Sequence, residues 1–212
     1  MKQMSDGLDT NDTERALVEA GRRLFAMHGY DGTSVRAITS AASANLGAIT
    51  YHFGSKRGLY DRVVESAVRP LAERIEAVAA PGRPLMERVE AVVREYFAYL
   101  AANPDLPQLM MQELVLGGVP AEVVAGPLKR VHGAVTRLVT EGQAEGVIRS
   151  GPRLVLGIFI LSVPVHLGML QRAIQAHLGV DLLDDRTRAA VVESAVSFVR
   201  AGLGPDGTEA IT

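Results

Sequence analysis

From Thr13 to Gly202 the apolar residues of this chain recur every three or four positions, and no run alternates apolar with polar long enough to make a useful strand. A period near 3.6 lines such residues along one side of a helix, so the chain must bury helical stripes against one another. That restricts the fold class to all-α. Hydrophobic residues make up 48% of the 212, enough for a sizeable core, and general disorder is excluded.

Helix punctuation divides the chain. Residues 13–29 form a first helix, with Thr13 or Asp12 as cap and Gly29 at the C′ position. Thr33 is the expected N-cap of a short helix from Ser34 to about Ala42, and Asn45 caps another over about 46–51. Two short helices joined by about three residues make a helix-turn-helix. Ser55 opens a long helix to about Ala79, with a kink or break expected at Pro70. Further helices are expected over about 84–102, 106–116, from 126–127 to 145, 152–178 and 185–202. The organisation is a flexible tail over 1–12, a helix-turn-helix module over 13–60, a larger bundle over 61–203 and a flexible tail over 204–212.

The chain carries a net charge of −2. Within 15–69, however, Arg15, Arg22, Arg23, Arg36, Lys56, Arg57, Arg62 and Arg69 face only Glu19, Asp31, Asp61 and Glu65, a local net charge of +4. A basic excess on a helix-turn-helix is the electrostatic footprint of duplex binding. The second short helix carries small residues in its first turn, which lets its backbone enter a major groove about 12 Å wide. Ile49 and Phe53 face inward as anchors, while Thr50, Tyr51 and His52 face outward toward phosphates. Lys56 opens the next helix, where its ammonium and the free N–H groups can meet the same backbone.

The segments "LFAMHGYDGTSVRAIT" and "ITYHFGSKRGLY" resemble the DNA-binding region of the TetR family of transcriptional regulators. Phe25, Gly29, Thr33, Val35, Ile38, Gly47, Tyr51, Phe53, Ser55, Lys56 and Leu59 match in order and spacing, over about residues 13–62. The resemblance implies a homodimer on a palindromic double-stranded DNA operator, acting as a repressor released by a small apolar or amphipathic effector. By position it implies that Arg36 reads a base, that Asn45, Leu46, Gly47 and Ala48 meet base edges, and that Thr33, Thr50, Tyr51, His52 and Lys56 hold the backbone. There are departures. Ser43 stands where the family has Gly, which brings modest strain if φ is positive there. Ala44 replaces Val and fills less core. Thr50 replaces a frequent Tyr, and Leu46 replaces a polar residue, so readout there becomes an apolar contact with a thymine methyl.

In the larger module, Phe97, Met110, Met111, Phe159, His166 and Met169 offer an adaptable apolar effector pocket, with Glu113 as a polar contact. On the last helix Ala189, Val192, Val196 and Val199 form one apolar stripe, and Ala195, Phe198 and Ala201 a second. A terminal helix apolar on two sides calls for contacts beyond its own core; the first stripe is the expected dimer interface, in the intersubunit four-helix bundle that the resemblance implies. The helix spanning both modules is the expected lever between effector and DNA.

No cysteine is present, which excludes a disulfide scaffold, a cysteine nucleophile and thiolate metal sites and fits a reducing, cytoplasmic location. The polar, acidic start lacks the features of a signal peptide. The longest uncharged stretch, Leu154 to Leu170, falls short of the roughly 20 apolar residues of a membrane span and reads as a buried helix. His132, His166 and His177 are scattered, with no metal-ligand spacing and no nucleophile elbow. Neither an enzyme nor a metal or other cofactor is expected. Two alternatives remain open from sequence: an activator or corepressor-dependent regulator, and a helical small-molecule-binding protein without operator binding.

Overall fold

A computed structural model describes residues 6–116, 122–182 and 184–205. Every regular element among them is helical: α1 (Asp6–Gly32), α2 (Val35–Ala41), α3 (Ala48–Phe53), α4 (Lys56–Ala79), α5 (Leu85–Ala102), α6 (Leu106–Leu116), α7 (Glu122–Ala144), α8 (Arg153–Leu178) and α9 (Asp185–Leu203). Helix α1 begins well before Thr13, and α7 runs through Pro127. Helix α4 is continuous through Pro70, so the expected break does not occur. Val63, Val64 and Ala67 before the proline and Leu71, Ala72 and Ile75 after it are all buried, and packing on both sides outweighs one lost backbone bond.

The chain divides into two compact units, one formed by residues up to 69 with 108–125, the other by 70–107 with 126 onward. The division falls inside α4 rather than near residue 60, and most of α6 joins the first unit.

In the first unit α1, α2 and α3 pack on one another around Leu17, Phe25, Ile38, Ile49 and Leu59, all at most 1% exposed. Helical geometry in α1 is interrupted at Gly29 (φ 74°, ψ 174°), a conformation only glycine adopts freely. Thr33 closes that bend. Its hydroxyl lies 3.1 Å from the Leu24 carbonyl and 2.7 Å from that of Gly29, and the residue is 2% exposed. Ser34 is therefore the N-cap of α2, its Oγ accepting from the Ala37 N–H at 3.1 Å. This corrects the expectation for Thr33, which is neither cap nor surface group.

The turn from α2 to α3 is a Schellman motif. The Ala44 N–H donates to the Thr39 carbonyl at 2.8 Å and the Ser43 N–H to that of Ser40 at 3.2 Å. The motif requires a left-handed residue at C′, and Ser43 occupies it with φ 52°. A Cβ in that conformation costs roughly 1–2 kcal/mol.

In the second unit α5 packs against α8 and α9, which also touch each other. Arg88, 6% exposed, directs Nε (3.0 Å) and Nη2 (2.6 Å) to the carbonyl of Ala79, the last residue of α4, and Nη1 (2.7 Å) to Glu141 on α7. One guanidinium thus ties α4, α5 and α7. Arg94 with Glu193 and Arg200 with Glu90 join α5 to α9 on the outside. Burial pushes the Tyr96 hydroxyl up to about 12.

Two outcomes are expected. Ser43→Gly removes the left-handed strain against a smaller gain in unfolded-chain entropy, so urea denaturation should show about 0.5–1 kcal/mol more stability. A Tyr96 that titrates at about 12 when folded and near 10 when unfolded binds its proton more tightly in the native state, so stability falls as pH rises through that window. The Tyr96→Phe variant should lose about 2 kcal/mol less than the parent between pH 10 and 12.

Candidate nucleic-acid interface

Six-residue α3 is far too short to be stable alone, so its pose is set by what anchors it. Ile49 is the anchor, 1% exposed, and Phe53 is half-buried. The opposite side is open. Thr50 is exposed, Tyr51 is 79% exposed, and its ring meets half-buried His52 edge-on at 4.9 Å. Asn45, Gly47 and Leu46 are also exposed, Leu46 by 57%, and Ala48 is half-buried. From neighbouring α2, Arg36 is exposed too. The structure thus places these sequence-selected residues on α2, on α3 and in the turn between them, and removes Thr33 from the group.

Gly47 has an ordinary helical φ of −76°, and a Cβ built on it would meet nothing within 4 Å. The fold itself does not need glycine there.

Sequence reading missed Gly58. Ser55 caps α4 as expected, accepting from the Gly58 N–H at 3.1 Å. A Cβ on Gly58 would overlap the Phe53 carbonyl oxygen, so only glycine lets the first turn of α4 seat against the end of α3. That contact fixes where Lys56 stands. The available signal was a poor helix former inside a helix's first turn.

The basic residues of this unit are not equivalent. Arg15 pairs with Asp12 and Arg23 with Glu19, both at 2.9 Å, and Arg57 pairs with Asp61 at 2.8 Å. Arg62 lies 3.8 Å from Glu14 and 3.6 Å from Glu65. Among the described residues Arg36 and Lys56 have no carboxylate partner, and the Lys56 ammonium sits 4.2 Å from the centre of the Tyr30 ring. Cationic charge is left uncancelled beside α3.

The expected effector residues are divided between the two units. Met110 (half-buried) and Met111 (37% exposed) belong to the first unit, as does Glu113, whose side chain lies outside the described residues. Phe97, Phe159, His166 and Met169 belong to the second unit. Phe97 is buried beside a cavity of about 20 Å³ shared with Leu100, Leu167 and Gly168, room for little more than a water molecule. Met169 is half-buried and His166 exposed. Phe159, 57% exposed, lines an open apolar groove of about 360 Å³ with Ile160, Phe198, Val199 and Leu203.

The expected dimer stripe is also redistributed. Val196 and Val199 are 6% and 5% exposed, packed within the bundle; Val192 is half-buried and Ala189 exposed. The open apolar face of α9 is at Phe198, 68% exposed, and α8 adds Leu154, Val155, Ile158 and Phe159. By length and composition α8 could cross a membrane, yet one face packs through Leu156, Gly157, Ile160, Leu161, Pro164 and Gly168. It is half of a buried helix, with an apolar face left over.

Comparison with known proteins identifies the family. Residues 17–63 match the family model "Bacterial regulatory proteins, tetR family", and residues 86–199 match "Tetracyclin repressor-like, C-terminal domain". The transcriptional repressor AcnR of Corynebacterium glutamicum is 36% identical over 62 residues, 29% of this chain and 33% of AcnR. AcnR of Corynebacterium diphtheriae is 35% identical over 94 residues, 44% of this chain and 48% of its own. These matches thus span a third to a half of the curated relatives. Among solved structures, a TetR-family regulatory protein from Rhodococcus RHA1 superposes with a TM-score of 0.74 at 18% identity, covering 91% of this chain and 97% of that one. FadR of Bacillus subtilis in complex with stearoyl-CoA gives 0.71 at 19% identity, covering 89% and 98%. With models matching both its helix-turn-helix unit and most of its C-terminal bundle, the chain belongs to the TetR family of bacterial regulatory proteins.

Proposed function

We propose that the protein is a homodimeric transcriptional repressor that binds a palindromic DNA operator and leaves it when a small amphipathic molecule binds. The observation that carries this reading is the open face of α2 and α3: a glycine the fold does not need, exposed Leu46, Thr50 and Tyr51, and two cations without carboxylate partners among the described residues. Arg36 and the 45–48 segment read base edges, with Arg36 bidentate to a guanine. Thr50, Tyr51, His52 and Lys56 hold the sugar-phosphate backbone.

The dimer forms through α8 and α9. The groove between Phe159 and Phe198, continuous with Leu154, Val155 and Ile158, is an apolar face that a second copy covers isologously. It replaces the Ala189–Val199 stripe as the proposed contact. The effector enters the second unit beside Phe97, where the existing cavity is water-sized, so binding requires the bundle to open and favours the form that does not hold DNA. A chemical precedent for an amphipathic occupant is the stearoyl-CoA held by FadR.

Selection from a random duplex pool at physiological salt should recover a palindrome with half-sites about one helical turn apart, or a multiple of it. Recovery of nothing from the folded dimer, with or without small-molecule extract, would defeat the operator reading. On the recovered site, Arg36→Ala should cost about 1–3 kcal/mol and relax one position per half-site. Lys56→Ala and His52→Ala should weaken all duplexes alike, each reducing the salt slope by about one or less. Phe198→Glu should give a monomer by sedimentation and abolish tight binding to the full palindrome while leaving helicity intact. A dimeric Phe198→Glu protein would place the interface elsewhere.

A further inference from the structure

We propose that Tyr30 is a positioning residue for DNA binding: its ring holds the Lys56 ammonium in place for a phosphate without neutralising it. This rests on the operator-binding reading above, in which Lys56 meets the DNA backbone.

Tyr30 immediately follows the bend at Gly29. Its ring lies 5.1 Å from that of Tyr60, nearly edge-on at 72°, and 6.0 Å from that of Phe25 at 22°. Those two rings meet edge-to-face at 4.9 Å and are 2% and 0% exposed, so Tyr30 leans on fixed neighbours while itself only half-buried. The Lys56 ammonium stands 4.2 Å from the Tyr30 centroid, well within cation–π range. The Arg57 guanidinium is more distant, 5.9 Å from Tyr30 and 5.5 Å from Tyr60, and is already committed to Asp61 at 2.8 Å. Lys56 is thus the cation the ring is placed to hold.

The choice of partner matters physically. A carboxylate would also fix the lysine, but it would cancel the charge and occupy its N–H groups. A ring face attracts the cation through its quadrupole, leaving the net charge intact and donors available for phosphate oxygens. It also restricts a four-carbon stem whose freedom would otherwise be lost on binding.

The test measures affinity for a fluorescein-labelled mixed-sequence duplex by anisotropy over a salt series, for the full chain and its variants. Lys56→Ala should weaken binding and lower the salt slope by about one. Tyr30→Phe should bind as the parent does, and Tyr30→Leu should lose about two- to fivefold. In a Lys56→Ala background Tyr30→Leu should cause no further loss. Equal losses in both backgrounds would show a role in the scaffold only and overturn the proposal, as would no loss in the parent. If Lys56→Ala itself changes nothing, the phosphate role of Lys56 fails first, and the proposal with it. A readout that needs no destabilising variant is the Lys56 Hε resonance of the parent, assigned by its absence in Lys56→Ala. The ring should shift it upfield, and a random-coil position would overturn the contact.

Discussion

The geometry of the first unit depends on how α1 ends. The helix is interrupted at Gly29, and side chains from two other places hold the carbonyls around the bend. The Thr33 hydroxyl serves Leu24 and Gly29, and the Gln112 amide nitrogen from α6 donates to the Phe25 carbonyl at 3.0 Å. With the bend fixed, Tyr30 lies against Tyr60 and Phe25, and the next residues are aimed to start α2. The pose of α2 and α3, seven and six residues long, comes from these tertiary ties rather than from intrinsic helicity.

This explains what could be read from the sequence and what could not. Helix content, order and most boundaries followed from apolar spacing and from Gly, Pro and Ser punctuation, since these act over a single turn. Thr33 and Ser34 are adjacent hydroxyls with the same local claim to cap α2. The decision came from the Leu24 and Gly29 carbonyls, nine and four residues upstream, which only the bend at Gly29 brings to the Thr33 hydroxyl. Pro70 carries a strong local signal for a break, overruled by buried residues on both sides of it. Helix α9 has two apolar stripes, and its packing against α5 and α8 determines that Val196 and Val199 turn inward while Phe198 stays open. Ser43 is the opposite case: the demand for a left-handed residue at the turn was legible, and the φ of 52° meets it with a serine.

The charge pattern follows a similar logic. Exposed i,i+3 and i,i+4 pairs such as Arg15 with Asp12 and Arg23 with Glu19 contribute little to stability. Their effect is on the field. They cancel basic charge along α1 and leave Arg36 and Lys56 uncancelled at the end of the unit where α3 is exposed. A chain of net charge −2 can thus attract a polyanion to one small region without being generally basic.

The proposed dimer accounts for the second unit's open face. In the operator-binding reading few side chains on α2 and α3 meet base edges, and each good base contact discriminates by only about 1–3 kcal/mol. One such surface cannot separate its site from the 10⁶ or more competitors (roughly) that a genome offers. Two copies held at a fixed spacing add their discrimination, provided the holding is rigid. The Arg94–Glu193 and Arg200–Glu90 pairs fasten α9 to α5 on one side, and Val196, Val199 and Leu203 fill the bundle core. That leaves Phe198 and the outer face of α8 as an exposed apolar surface, the face assigned to the second copy in the proposed dimer.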